Sequence, residues 1–329
     1  MAKSRKKVKQ TKAPEIYLPT MIDCYRGSLV GLAVGDALGT TVQRAKSQHR
    51  KPGSSIVGGG PFRLKPGERT DETSMALCLA ESLITKGTFD PADQMQCYLK
   101  WLMYNDMSVN GGSFDVGLAV RNALRNFEKS GGPYSGETNP FFACNGSIMR
   151  LAPVPLFYAA NPAEAIEKSG LSSRITHQKP AVIDGCRYLG ALIVGAVNGA
   201  SKEELLGKRY SPVAGYWEQH PLTPQIDEIA SGSFKRSGWP EIKGGNQVTE
   251  SLETALWAFY HSSSFETGCV RGVYLGDDPN TIGAVYGQIA GAFYGYRGIP
   301  PMMRRKIVLR QMIESIAERL FELSRSIQC

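Results

Sequence analysis

GSLVGLAVGDALG (residues 27–39) and TIGAVYGQIAGAFYG (residues 281–295) stand near opposite ends of the 329-residue chain, and each carries a glycine at every fourth position. Residues four apart lie on one face of a helix, so this spacing leaves one helical face without side chains. A glycine inside a helix costs about 1 kcal/mol relative to alanine, and a bare face is useful where another backbone approaches closely. We therefore predict two central helices, one from each end of the chain, that pack tightly against each other.

The rest of the chain also predicts helices and shows no series of alternating strands. Apolar residues recur with helical periodicity over residues 22–38, 73–86, 162–169, 180–199, 249–261 and 302–326. Three long segments, 43–69, 109–139 and 208–247, are predicted to be loops, and loops of this length in a compact domain usually carry function. The sequence thus predicts an all-α fold with a single domain over residues 21–329.

Positive charge is concentrated at the N-terminus. Six of the eight net charges come from lysine and arginine side chains before residue 14, where no acid occurs, which leaves +2 for the remainder. We predict that residues 1–20 form a flexible basic arm, because the segment is too polar to bury itself. It is either a solvated tail or an arm that folds onto an acidic partner. No nucleic-acid partner is expected, since such proteins usually carry their charge on a folded face.

Composition also limits the cellular setting. No run of about 18 apolar residues is present, so we expect no membrane partner. The basic N-terminus lacks the apolar stretch of a signal peptide, which favours a cytoplasmic protein. The seven cysteines are scattered and form no C-x-x-C pair, which argues against a disulfide framework or a cysteine zinc site.

Two acidic turns precede predicted helices: TDET at residues 70–73 and DDPNT at residues 277–281. Helix capping explains either turn alone, since carboxylates and hydroxyls favour helix N-termini. If the two helices are neighbours, Asp71, Glu72 and Asp278 converge, and their repulsion requires a cation. Carboxylate and hydroxyl oxygens suit Mg²⁺ or Mn²⁺. The two turns together therefore predict a divalent-metal site.

Three further segments are candidates for substrate contacts. GGSFDVG (residues 111–117) is a flexible turn with one acid, and NGSIM (residues 145–149) is expected to open a helix whose N–H groups could bind phosphate. His177 stands before a long predicted helix. Each segment alone is more typical of a turn, or of a structural hydrogen bond, than of a site.

Taken in order, six motifs between Asp23 and Ile299 resemble the ADP-ribosylglycohydrolase family, which includes the dinitrogenase-reductase-activating glycohydrolases. They are GSLVGLAVGDALG, TDETSMALCLAESL, GGSFDVG, NGSIMRLAPVPLFY, THQKPAV and GDDPNTIGAVYGQIAGAFYG. The resemblance implies an orthogonal helical bundle with a central metal cleft.

The resemblance also implies the roles of individual residues. Catalysis would fall to Asp71, Glu72 and Asp278. Two Mg²⁺ ions, for which Mn²⁺ can substitute, would be held by Thr70, Asp71, Glu72, Asp278, Asn280 and Thr281. The substrate cleft would be lined by Ser113, Phe114, Asp115, Gly117, Asn145, Gly146, Ser147, Met149 and His177.

Three positions depart from the family pattern. The family usually has aspartate where Glu72 and Asn280 stand, and many members have glutamate where Gln43 stands. Glutamate reaches about one methylene further, and asparagine and glutamine carry no charge. We therefore expect one of the two ions to bind more weakly than is usual in the family.

The resemblance implies metal-dependent hydrolysis of the N-glycosidic bond of an ADP-ribosylated protein, with ADP-ribosyl-arginine as the expected linkage. The basic arm and the variant second acidic turn resemble a bacterial subgroup of immunity proteins, or antitoxins, that act against ADP-ribosyltransferase toxins. In that case residues 1–20 could also block the toxin's active site. Two alternatives stay open: a non-catalytic binding protein on the same fold, and a metal-dependent phosphohydrolase.

Overall fold

The structure, a computed structural model, describes residues 18–43, 53–139, 142–236, 238, 242 and 244–326. Within these residues the chain is helical and forms only isolated β-bridges, so the all-α prediction is confirmed. The helices are α1 Met21–Val42, α2 Asp71–Lys86, α3 Pro91–Tyr104, α4 Leu118–Ser130, α5 Pro153–Phe157, α6 Pro162–Arg174, α7 Pro180–Val197, α8 Lys202–Leu205, α9 Tyr216–Gln219, α10 Pro224–Ala230, α11 Ser233–Arg236, α12 Val248–Tyr260, α13 Phe265–Leu275, α14 Pro279–Gly298, α15 Pro301–Arg304 and α16 Arg310–Ser326.

Helices α1 and α14 form the centre of the molecule and run antiparallel with their backbones in contact. A Cβ atom added at Gly31 would overlap the carbonyl oxygen of Gly287, and one added at Gly35 would overlap that of Gly283. The prediction of two packed central helices is therefore confirmed. Because Gly39 lies against Asn280, the C-terminal end of α1 meets the N-terminal end of α14.

The other long helices cover this pair. Helix α16 packs on α1, α2 and α5, while α7, α12 and α13 pack on α14. Helix α7 is the one helix in the described residues that is long and apolar enough to cross a membrane, but 78% of it is buried inside the protein. A buried core helix can be as long and as apolar as a membrane-spanning helix, so these two properties of α7 are only weak evidence for a membrane span.

Gln288 fixes the fourth motif, NGSIMRLAPVPLFY, to the central pair of helices. Its Oε1 accepts a hydrogen bond from Ala152 N at 2.7 Å, and its Nε2 donates to Met149 O at 2.8 Å. Gln288 is a residue of α14 whose side chain is fully buried. Because its amide oxygen and nitrogen are both hydrogen-bonded, it avoids the free-energy cost of a buried polar group without a partner. This contact places residues 145–149 beside the N-terminal half of α14.

Several predicted elements differ from the structure. The predicted loop 109–139 contains the amphipathic helix α4, and the predicted loop 208–247 contains the short helices α9, α10 and α11. Residues 145–149 form turns, and the following helix, α5, begins only at Pro153. The predicted helix 302–326 is interrupted between Arg304 and Arg310, where Val308 N donates to Gly67 O. Residues 1–17 of the predicted arm lie outside the described residues.

Candidate active site

A cavity of about 340 Å³ lies where the C-terminal end of α1 meets the N-terminal ends of α2 and α14. Gln43 and Cys144 contribute to its wall. Of the predicted site residues, those that line it are Asp71, Glu72, Asp115, Gly117, Asn145, Gly146, Met149, His177, Asp278 and Thr281. The antiparallel glycine contact of α1 and α14 therefore brings the two acidic turns together.

The N-terminus of α2 is held by a carboxylate from another helix. Thr70 stands at the capping position but makes no capping bond with its own side chain. Asp36, in α1, instead accepts hydrogen bonds from Thr70 N at 3.1 Å and from Thr73 N at 3.2 Å. Thr73 Oγ1 donates to the same carboxylate at 2.6 Å. Asp36 thus takes the place of a capping side chain and fixes where Asp71 and Glu72 project.

The turn before α14 contacts both α2 and the fourth motif. Thr281 Oγ1 donates to Glu72 Oε1 at 2.9 Å. Asn145 Nδ2 donates to Asp278 Oδ2 at 2.7 Å. The first of these bonds ties the two acidic turns together, and the second ties the DDPNT turn to the NGSIM segment; both join side chains more than 130 positions apart in sequence.

Asp115 brings a further carboxylate to the cavity. Its backbone has φ 58°, in the left-handed region that residues other than glycine seldom adopt. Its Oδ2 accepts hydrogen bonds from Gln43 Nε2 and, at 3.2 Å, from Asn280 Nδ2. The two uncharged residues Gln43 and Asn280 thus donate to this one carboxylate.

Burial and like charge act together on the acidic groups. Burial, followed by the charges of Glu72, Asp115 and Asp36, raises the pKa of Asp71 well above its ordinary value. Burial also raises the pKa of Glu72, with Asp36 as its largest charged neighbour. Desolvation raises the pKa of Asp278, which is half-buried, to about 6, although Asn145 partly opposes this. The cavity therefore favours whatever neutralises its carboxylates, whether a proton or a cation.

The oxygen atoms around the cavity are of the kind that bind a hard divalent cation. Thr70 Oγ1 lies 2.7 Å from Asp36 Oδ1 and 2.5 Å from Glu72 Oε2, yet its single proton can serve only one of them. Asn280 Oδ1 and Gln43 Oε1 are buried and have no hydrogen-bond partner in the part of the chain that the structure describes. Among the described residues, no three His, Cys, Asp or Glu side chains are already arranged around a metal position. Hydroxyl and amide oxygens would therefore have to complete the coordination.

A neutral imidazole lies on the same cavity. His177 is fully buried, and burial together with the charge of Arg150 lowers its pKa to about 3. Its Nε2 lies 3.2 Å from Cys144 Sγ. The side chain therefore does not become a cation at neutral pH.

Three predicted substrate residues do not line the cavity. Ser113 Oγ donates to Trp101 O at the end of α3, and Phe114 packs against Phe62 with 5.6 Å between the ring centroids. Ser147 is buried, with its hydroxyl 2.9 Å from that of Ser173. Thr70 and Asn280 are also absent from the lining and contact it through hydrogen bonds.

Sequence reasoning missed two residues of this region. The sequence motifs assign no role to Asp36, although a buried aspartate on a helix of glycine and apolar residues requires a partner. The scattered spacing of the cysteines assigns no role to Cys144. No sequence signal pairs it with His177, which is 33 positions away.

The helical bundle and its acidic cavity agree with the sequence motifs, and the chain belongs to the ADP-ribosylglycohydrolase family, whose profile matches residues 18–328. ADP-ribosylarginine hydrolase Tri1 from Pseudomonas putida (strain GB-1) is 37% identical over 313 residues, which cover 95% of this chain and 82% of the relative. The protein of the same name from Serratia proteamaculans (strain 568) is 38% identical over 303 residues, covering 92% and 80%. A solved structure described as an ADP-ribosylglycohydrolase-related protein complex has a TM-score of 0.80 and 38% identity, and the match covers 92% of this chain and 99% of that one. The family resemblance drawn from the six motifs is confirmed.

Proposed function

We propose that this chain hydrolyses the N-glycosidic bond between ADP-ribose and an arginine side chain of a modified protein. The observation that carries the proposal is the convergence of Asp71, Glu72 and Asp278 on one cavity. The similarity to two proteins named ADP-ribosylarginine hydrolase supports the arginine linkage.

Divalent metal is part of the proposal. Thr70, Asp71, Glu72, Asp278, Asn280 and Thr281 are the residues that would hold Mg²⁺, and the bound cation would supply positive charge beside the ribose hydroxyls and lower the pKa of nearby water. We further propose that one of two ions binds weakly, because Asn280 and Gln43 are uncharged.

The carboxylates would orient a water molecule and accept its proton. In the reaction the water oxygen bonds to the anomeric carbon of the ribose, the bond from that carbon to the guanidinium nitrogen breaks, and the proton ends on the released arginine. The ribose gains oxocarbenium character in the transition state, as in other glycosidic cleavages. Fixed carboxylates in a buried site stabilise this positive charge more strongly than water does.

The test is release of ADP-ribose from an ADP-ribosylated arginine protein, with Mg²⁺ and with EDTA. Release that requires Mg²⁺ is expected for the full chain, with little or no release by the Asp71→Ala variant. Asp277→Ala is the matched control, because Asp277 is exposed and adjacent to Asp278. Full activity of Asp71→Ala, or of the wild type in EDTA, would rule out the metal mechanism.

The same assay separates the alternatives. A serine-linked ADP-ribosyl peptide should be left intact, and cleavage of that substrate alone would overturn the arginine linkage. Tight binding of ADP-ribose without hydrolysis in Mg²⁺ would instead indicate the non-catalytic binding protein.

We also propose a second activity, immunity to an ADP-ribosyltransferase toxin, supported by the six basic side chains before residue 14. Binding to such a toxin should be lost when these residues are replaced by serine, while ADP-ribose release should stay within about twofold of wild type. Unchanged toxin binding would show that the basic residues are not needed.

A further inference from the structure

The imidazole of His177 has a different partner at each ring nitrogen. Nδ1 lies 2.8 Å from Thr176 Oγ1, and Nε2 lies 3.2 Å from Cys144 Sγ in the cavity wall. A neutral histidine carries its proton on one nitrogen only, and the partner of the other nitrogen decides which.

Arg150 determines the direction of this hydrogen-bond chain. Its Nη2 donates to Thr176 Oγ1 at 2.6 Å, and a guanidinium can only donate. The hydroxyl of Thr176 is buried and, among the described residues, has no other acceptor than His177 Nδ1. If Nδ1 carried the proton, the hydroxyl hydrogen would be buried without an acceptor, which is costly. Thr176 therefore donates to Nδ1, and the ring proton resides on Nε2.

The ring is also held in place and kept neutral. A side chain at Gly146 would fall 2.9 Å from His177 Cε1, so the backbone there lies directly on the imidazole. Burial and the Arg150 charge lower the pKa of His177 to about 3. The N–H group at Nε2 is thus present throughout the neutral pH range.

We propose that Arg150 and Thr176 are positioning residues that fix His177 as an Nε2–H donor to an oxygen of the bound ADP-ribosyl group. The inference rests on the proposed function for the identity of that ligand. Without ligand the donor meets the sulfur of Cys144, which is a weak acceptor, so an oxygen can replace it at little cost.

The first test measures the tautomer in the full-length protein without ligand. Long-range ¹H–¹⁵N NMR correlations of the histidine rings, with His177→Asn to assign the signals, should show Nδ1 unprotonated and Nε2 protonated. A proton on Nδ1 would overturn the inference. This readout does not depend on hydrolysis, so it judges the hydrogen-bond chain separately from the proposed function.

The second test compares a variant that lacks the Thr176 hydroxyl with one that keeps it. Thr176→Val lacks the hydroxyl, so the ring should lose its fixed tautomer and ADP-ribose should bind about tenfold more weakly by calorimetry. Thr176→Ser keeps the hydroxyl and should restore both the tautomer and the affinity. Equal affinity in the valine and serine variants would overturn the role of the chain. Absence of ADP-ribose binding by the wild type would overturn the proposed function and, with it, the assigned ligand.

Discussion

Asp36 illustrates at the scale of a residue how a buried carboxylate can serve a site that it does not line. It receives hydrogen bonds from the backbone N–H groups of Thr70 and Thr73 and from the Thr73 hydroxyl, and it is fully buried. Burial raises the pKa of Asp36, and these hydrogen bonds oppose the rise. The position of the first acidic turn therefore depends on a residue of α1.

We expect Asp36→Asn to lower both stability and activity. The amide places N–H groups against donors of Thr70 and Thr73, and a buried donor left unpaired costs about 1–3 kcal/mol. Displacement of Asp71 by about 1 Å would reduce hydrolysis by about a hundredfold. Urea unfolding and the ADP-ribose release assay measure the two effects. Asp23→Asn, at the other end of α1, is the control, and equal behaviour of the two variants would contradict this role of Asp36.

The Asn280→Asp variant tests whether the uncharged side chain at position 280 weakens cation binding in the cavity. Asn280 donates to Asp115 at 3.2 Å, so a carboxylate at this position would repel Asp115 unless a cation lies between them. We expect the variant to bind Mg²⁺ at least about tenfold more tightly, which corresponds to about 1.4 kcal/mol, and to be less stable than wild type in EDTA. Calorimetric titration with Mg²⁺ and thermal unfolding in EDTA measure these changes. Unaltered Mg²⁺ affinity would show that residue 280 does not face the cation.

The residues of the site differ in how far the sequence could predict them. The sequence predicts the convergence of Asp71, Glu72 and Asp278, because each acidic turn directly precedes a predicted helix. One of these helices has helical apolar periodicity, and the other carries a glycine at every fourth position. The hydrogen bonds of Asp36 and the pairing of Cys144 with His177 could not be predicted, because they depend on contacts between distant segments rather than on local pattern.

At the scale of the elements, the antiparallel contact of α1 and α14 aligns the two halves of the site. Gly35 lies against Gly283 and Gly39 against Asn280. A shift of one helix along the other by a single turn would move the DDPNT turn away from Glu72 by about 5.4 Å. The glycine stripes therefore fix the register of the site as well as the packing of the core.

Gly35→Ala should be strongly destabilising, because its methyl group would overlap the backbone of Gly283. Overpacking of this kind costs about 1–3 kcal/mol or more. Gly272→Ala in α13 is the matched control, since its methyl group would sit 3.4 Å from Ala258 Cβ, an ordinary contact. That control should gain up to about 1 kcal/mol from helix propensity. Urea unfolding of both variants measures the difference, and a neutral Gly35→Ala would contradict the close packing.

The elements that the sequence did not predict have weaker local signals. Helix α4 buries Ala119, Val120, Ala123, Leu124 and Phe127 on one amphipathic face. The glycine-rich GGSFDVG turn that precedes it favours a loop, and for this reason the sequence does not predict the helix. The break after α15 depends on a distant partner, because Val308 pairs with Gly67. Such interruptions arise from tertiary contacts and leave helical periodicity intact on both sides.

At the scale of the whole molecule, the acidic cavity links stability to pH. Asp278 has an ordinary pKa of 3.8, which burial raises to about 6 in the folded protein, and burial raises the pKa of Asp71 and Glu72 as well. Between the unfolded and folded pKa values, the folded state binds more protons than the unfolded state. The free energy of unfolding of the protein therefore falls as the pH rises from the unfolded to the folded pKa values of these groups.

We expect the metal-free protein in EDTA to lose stability as the pH rises from about 4 to about 6. Asp278 should contribute about 3 kcal/mol to this loss, because each unit by which its pKa is raised corresponds to about 1.36 kcal/mol. Urea unfolding at a series of pH values measures the slope. Asp278→Asn should flatten it, because the amide does not titrate, and saturating Mg²⁺ should restore stability at pH 7, because a cation bound only to the folded state stabilises it. Stability that rises over this interval in EDTA, with the same slope in Asp278→Asn, would mean that the carboxylates carry no electrostatic cost and that the cavity has no need of a cation.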